Sequence, residues 1–231
     1  MRNYIALLLI VSGLAYSCQP AKEPAVPLEM AGLSMTENND SLSYNIDIQY
    51  LAAQGGEEKL RGTINQRIEQ AAAENATAFK EFIQDFEPMG LRELEGFAFL
   101  RYNNGRLLSL SQRFIWAVPG TSTLIEETVT HNLRIPEGDT LSLDELFAEP
   151  AAAKAEVLEK VKGAILKQYG PGLCRELEGV EELEKFCISD KGLIFFLDLY
   201  QGNPACRQAE ITLPWAGVEG LLSKEMKARR E

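Results

Sequence analysis

Between residues 42 and 50, apolar side chains at Leu42, Tyr44, Ile46, Ile48 and Tyr50 alternate with polar ones. Successive side chains of an extended chain point to opposite faces, so this period of two predicts a half-buried strand. Gly55-Gly56 ends it, and the period changes. Leu60, Ile64, Ile68, Ala72, Phe79, Phe82 and Phe86 recur at helical spacing as far as Pro88. This is the longest predicted helix, with an Ile and Phe stripe to lay on a sheet. Three strands follow. The first, FAFLRY (97–102), leads through Asn103-Asn104-Gly105, a tight-turn signal. Leu108, Leu110, Phe114, Trp116 and Val118 share one face of the second, which Pro119-Gly120 breaks. Ile125, Val129, Leu133 and Ile135 share one face of the third. Consecutive strands with short connections pair antiparallel.

Ser142 and Glu145 in SLDELF form a capping box that starts a short helix. A longer helix is predicted over 151–169, before Gly170-Pro171-Gly172. Short strands follow at 185–188, 193–200 and 209–213, the first two joined by a turn at 189–192. Residues 193–199 are apolar on both faces apart from Asp198, as expected of a central strand. Residues 215–222 read as a closing helix. The mixture predicts an α+β fold, a twisted, mainly antiparallel sheet with helices packed on one face.

The N-terminal pattern is different. Arg2 is the only charged side chain ahead of Cys18, residues 5–11 (IALLLIV) are apolar, and Ser12, Gly13, Ala15 and Ser17 are small. A positive start, an apolar middle and small residues form the order of a secretory signal. The apolar run is well short of the ~20 residues that span a bilayer. A cysteine directly after the small residues resembles the lipobox of bacterial lipoproteins, in the looser form of Bacteroidetes-type members, with Ala15 three places before the cysteine and Leu14 one step further out. The resemblance implies that Cys18 is lipidated and becomes the first residue of the mature chain. Acyl chains stabilise membrane attachment by ~0.8 kcal/mol per buried CH₂. The three prolines of QPAKEPAVP (19–27) predict an extended spacer, and ordered structure is expected from near Ser41. The expected organisation is therefore a signal at 1–17, lipidated cysteine and tether at 18–40, a strand-helix subdomain at 41–105, an α+β subdomain at 106–223 and a charged tail at 224–231.

Composition narrows the partners. The chain of 231 residues carries a net charge of −11, one unit more negative once Arg2 is removed, and is 45% hydrophobic. About 190 residues remain for a core. The acidic balance argues against nucleic acid, whose phosphates need clustered Lys and Arg, and leaves open a basic protein partner. Cys174, Cys187 and Cys206 follow Cys18. In an oxidising compartment they predict one disulfide and one leftover thiol, with all three pairings open.

Motifs for chemistry are sparse. The single histidine, His131, shares the alternating face of Val129 and Leu133. No second histidine or cysteine spacing completes a metal site, and no nucleotide-binding or serine-elbow motif is present. No catalytic residue, metal or cofactor is expected. Glu126 and Glu127 are strand neighbours that point apart. The run ELEGVEELE (176–184) lacks the ligand ladder of an EF-hand loop.

The order of elements is more telling. Leu107 to Leu110 (LLSL), the LSLDELF segment (141–147), the ISDKGLIFFLDLY hairpin (188–200) and ITLPW (211–215) resemble the extracellular domain shared by RsiV-type anti-sigma factors and PdaC-type peptidoglycan deacetylases. Residues 41–88 resemble the strand-helix domain that precedes it. Where many members have a Gly-Ala-x-His-like stretch, residues 118–123 here read VPGTST and keep only Gly120. The relatives' deacetylase activity belongs to a separate catalytic domain that this chain is too short to contain. The resemblance implies a cell-surface binding module; in some relatives it senses lysozyme, a basic protein. The expected function is a non-enzymatic, lipid-anchored envelope protein that binds a cell-wall glycan or an envelope protein. A lysozyme-binding inhibitor or sensor and a hydrolase using His131 are the alternatives. Expected contact residues are Gly120, Thr121 and Thr123 in one loop, Tyr200 and Asn203 in another, and His131.

Overall fold

The computed structural model describes residues 26–86, 90–117, 120–121 and 124–230. Cys18, Pro88, Val118, Pro119 and Thr123 lie outside them. The strands are β1 (Met30–Asn39), β2 (Tyr44–Ala53), β3 (Arg92–Asn103), β4 (Leu107–Ala117), β5 (Leu124–Arg134), β6 (Phe186–Ile188), β7 (Gly192–Leu197) and β8 (Ala209–Pro214). The α-helices are α1 (Glu58–Gln84), α2 (Leu143–Leu146), α3 (Pro150–Tyr169), α4 (Trp215–Val218) and α5 (Lys224–Arg230).

The fold is α+β, but the strands divide into two sheets: a five-stranded one in the order β1-β2-β3-β4-β5 and a three-stranded one, β6-β7-β8. All pairs are antiparallel except β2 with β3. That pair is parallel because α1 intervenes, and a helical crossover returns the chain in the same direction. Among the described residues, regular structure begins at Met30, earlier than Ser41. Residues 30–39 have weak strand propensity by themselves and gain their conformation from pairing along the full length of β2. The charged C-terminal residues form α5, which buries Met226 in the core between α3 and the three-stranded sheet.

The α1 stripe read from the sequence is buried from Leu60 to Phe79, with Ile64, Ile68 and Phe79 fully so; Ile83 takes the next buried place, Phe82 is half-buried, and Phe86 is half-buried beyond the helix end. The stripe covers one face of the larger sheet, here termed the inner face, against Tyr44, Ile46, Ile48, Leu94, Phe114 and Trp116. Gly96 is needed there: a Cβ at that position would sit 2.7 Å from Ile48 Cγ2. The smaller sheet stacks on part of the opposite, outer face. Cys187, Ile194 and Phe196 form the apolar part of that junction. Phe186, Ile188, Leu193 and Phe195 belong instead to the core shared with α3. The run at 193–199 is apolar on both faces because β7 is the central strand of a buried sheet. In α2, the Glu145 carboxylate accepts from the backbone N–H and Oγ of Ser142, each at 2.8 Å, which starts the helix as its sequence predicts.

The two sheets are pinned by an irregularity. The β3–β4 register shifts between Leu100 and Tyr102, leaving Arg101 as a bulge. Its guanidinium lies over Phe99 at 5.0 Å and Phe196 at 5.3 Å, donates to Ser111 Oγ and pairs with Glu210. One side chain therefore bridges the larger sheet to β7 and β8.

Candidate functional site

The smaller sheet covers the β4–β5 side of the outer face and leaves the β1–β3 side open. On β2 and β3, alternation sends Asp47, Gln49, Glu93 and Glu95 to this face, and all are exposed. Asp47 and Glu95 are register partners on neighbouring parallel strands. Like charges at such positions repel. Among the described residues no Lys or Arg pairs with Asp47, Glu93 or Glu95, although nearby Glu126 is paired with Arg113 at 2.8 Å. An open groove of about 830 Å³ runs beside Asp47 along β1 and β2, lined by Gly32, Ser34, Thr36 and Gln49. A second cleft of about 480 Å³ adjoins it at Glu95 and Glu93, under Gly120, Thr121 and Leu124. Asp47 beside the first and Glu95 beside the second are neighbours across the β2–β3 pair, so the exposed carboxylates Asp47, Glu93 and Glu95 form an acidic strip, with the buried Arg92 at the floor of the second cleft.

Two of the loops expected to make contact lie together at the end of this strip. Arg207 donates to the Leu124 carbonyl at 2.7 Å and its guanidinium lies 4.4 Å from the Tyr200 ring centroid. Gln208 then ties to β5 through the Glu126 carbonyl and the Thr128 hydroxyl. Gly120 and Thr121 line the cleft, Tyr200 is exposed beside Arg207, and Thr123 lies outside the described residues. Asn203 acts locally, through an Oδ1 that accepts from the Ala205 N–H and starts a short 3-10 turn.

His131 is not in this group. It points to the inner face, where its Nε2 is 2.9 Å from Gln112 Oε1, and Gln112 Nε2 donates to the Ile68 carbonyl of α1. Burial first, and the nearby Arg67 charge second, lower its pKa from 6.5 to about 4, so the ring is neutral at pH 7. The arrangement ties β4 and β5 to α1.

The cysteines resolve into a Cys174–Cys206 disulfide and a free, buried Cys187. Burial pushes the Cys187 thiol up to about 12, and its Sγ lies 3.3 Å from the Leu110 carbonyl between the sheets. It is a packing residue, not a nucleophile. The disulfide staples the loop after α3 to the turn at Pro204–Cys206, next to the Tyr200–Arg207 pair. No group of His, Cys, Asp and Glu among the described residues is arranged to hold a metal ion. No described helix is long and apolar enough to cross a membrane.

Asp47, Glu93 and Glu95 were the residues that sequence patterning did not single out. The signal was present in the alternation of RELEGF (92–97), which is the polar half of a strand pattern. Alternation cannot tell a merely solvated face from one left open beside a second sheet.

No family model and no curated protein matches the chain. Two solved structures have a similar fold. One is a DUF3298 family member from Bacteroides fragilis, with a TM-score of 0.62 and 16% identity, matched over 90% of this chain and 99% of that one. The other is a DUF3298 family protein from Pseudomonas aeruginosa, with a TM-score of 0.63 and 14% identity over 87% and 97%. At these identities the likeness is one of fold.

Proposed function

We propose that this protein is a non-enzymatic binding module of the cell envelope, anchored by lipid on Cys18, whose outer face receives a basic protein. The observation that carries this reading is the acidic strip of Asp47, Glu93 and Glu95, exposed and without basic partners beside an open groove. Unpaired like charges on neighbouring strands cost stability. A cationic surface would relieve that repulsion and be steered toward it. The resemblance to RsiV-type and PdaC-type extracellular domains supports the same reading and makes lysozyme the natural probe. The disulfide fits an exported protein. A glycan is the weaker fit: the exposed Phe99 and Tyr200 each carry an arginine over the ring, where a sugar would stack.

The test is calorimetric titration with lysozyme at low and moderate salt. Saturable binding that weakens with salt is expected, because exposed charge pairs are screened. Absence of heat at both salt concentrations would discard lysozyme as the partner. The anchor is tested separately by fractionating cells that produce Cys18→Ala. Release of the protein from membranes is expected, and retention would refute lipidation at Cys18.

A further inference from the structure

The two edges of the larger sheet are treated differently. On β5 the outward backbone groups are occupied toward both ends of the strand, though not at Thr128 and Thr130: the Leu124 and Glu126 carbonyls accept from Arg207 and Gln208, the Asn132 carbonyl from the Leu141 N–H, and the Arg134 N–H donates to the Asp139 carbonyl. On β1 they are open. The Gln54 N–H donates to the Glu29 carbonyl, which sets the phase of the β1–β2 ladder. Odd-numbered residues of β1 therefore bond to β2, while Met30, Gly32, Ser34, Thr36 and Asn38 aim their N–H and C=O groups away from the sheet. Ala53, opposite Met30, confirms the phase: both of its backbone groups turn away from β1 and are held by the Asn65 side-chain amide.

Exposed edges are usually protected by lysine, proline, a bulge or a covering segment. β1 has no lysine, proline or bulge, and no segment among the described residues covers it. Its sequence, MAGLSMTENN, pairs with β2 in unbroken register and contains no Lys, Arg or Pro. Its one charge, Glu37, is tied to Lys80 and the Tyr44 hydroxyl. Leu33 is 42% exposed beside the half-buried Met35.

We propose that two copies of this chain pair antiparallel through their β1 edges, joining two five-stranded sheets into one. The strand is self-complementary about a twofold axis at Ser34. That axis sets Ser34 opposite Ser34, Gly32 opposite Thr36 and Met30 opposite Asn38, so every outward backbone group meets another outward group. Leu33 of one copy then lies across from Met35 of the other, which covers the exposed leucine. Each Glu37 faces Ala31, which keeps the two carboxylates at opposite ends of the junction. A parallel pairing in register would bring them together. The inference does not require the acidic strip to bind a basic protein, but the seam borders the groove that Gly32, Ser34 and Thr36 line.

The experiment is disulfide trapping in the full-length protein in the cells that produce it. Cysteine is placed singly at Gly32, Leu33, Ser34, Met35 and Thr36, with Lys167→Cys, on the exposed flank of α3, as the control for random collision. A reductant-sensitive homodimer that peaks at Ser34→Cys, several-fold above Lys167→Cys, is expected. Adding Gly32→Pro should lower that peak several-fold, because the Gly32 N–H belongs to the intermolecular ladder and not to the β2 ladder. Should the proline variant fail to fold, the position profile decides alone. Cross-linking that is absent or flat across the five positions, or that peaks as adducts to a different polypeptide, would overturn the proposal.

Discussion

Ser109 of β4 and Asn132 of β5 face each other in register, and the Ser109 hydroxyl donates to Asn132 Oδ1 at 2.7 Å. Both are buried. The same hydroxyl accepts from the Ile188 N–H, and Asn132 Nδ2 donates to the Phe186 carbonyl. Two polar side chains on one sheet thus satisfy the backbone of β6 on the other and set where it docks. Removing the Ser109 hydroxyl strands a buried N–H, so Ser109→Ala should cost about 1–3 kcal/mol. Denaturant melts would show a lower midpoint with an unchanged slope.

His131 gives a pH dependence of defined sign. Unfolded, the ring takes up a proton below 6.5; folded, it does so only near 4. The unfolded state therefore binds more protons between these values, and the contribution to stability, complete above 6.5, is lost as pH falls toward 4. The loss is about 3 kcal/mol. In His131→Gln this part of the slope should vanish, which thermal melts of both proteins from pH 7 to pH 4 would show. Equal slopes would mean that the ring titrates normally.

The disulfide closes a separation of 32 residues. Loop-closure entropy predicts that replacing both Cys174 and Cys206 by serine costs about 3–4 kcal/mol. Equilibrium unfolding with and without reductant should reproduce this difference in the wild type and show none in the double variant. Cys187 should stay unreactive toward thiol reagents until the protein unfolds, since its thiolate is disfavoured by burial.

Neutralising the strip should separate binding from stability. Asp47→Asn with Glu95→Gln removes one repulsive pair of exposed charges. Stability should hold or rise slightly, while affinity for lysozyme should fall about three- to tenfold, as expected when exposed charge pairs worth up to about 1 kcal/mol are lost. Unchanged affinity would move the contact surface elsewhere.

Much of the architecture follows from periodicity alone. The Ile and Phe stripe of α1, the alternation of β2, β4 and β5, the doubly apolar β7 and the Ser142–Glu145 cap are local patterns, and each appears where its residues predict. The α+β class was legible in the same way. The sequence did not determine that the strands form two sheets, that Cys174 pairs with Cys206 and leaves Cys187 inside, or that His131 and the two loops expected to make contact lie on opposite faces. Nor did it show that residues 30–39 form an edge strand. These depend on which elements meet across long separations. Alternation says that one face of a strand is wetter than the other. Only the placement of the smaller sheet over β4 and β5 decides which polar face is covered and which, with Asp47, Glu93 and Glu95, stays open.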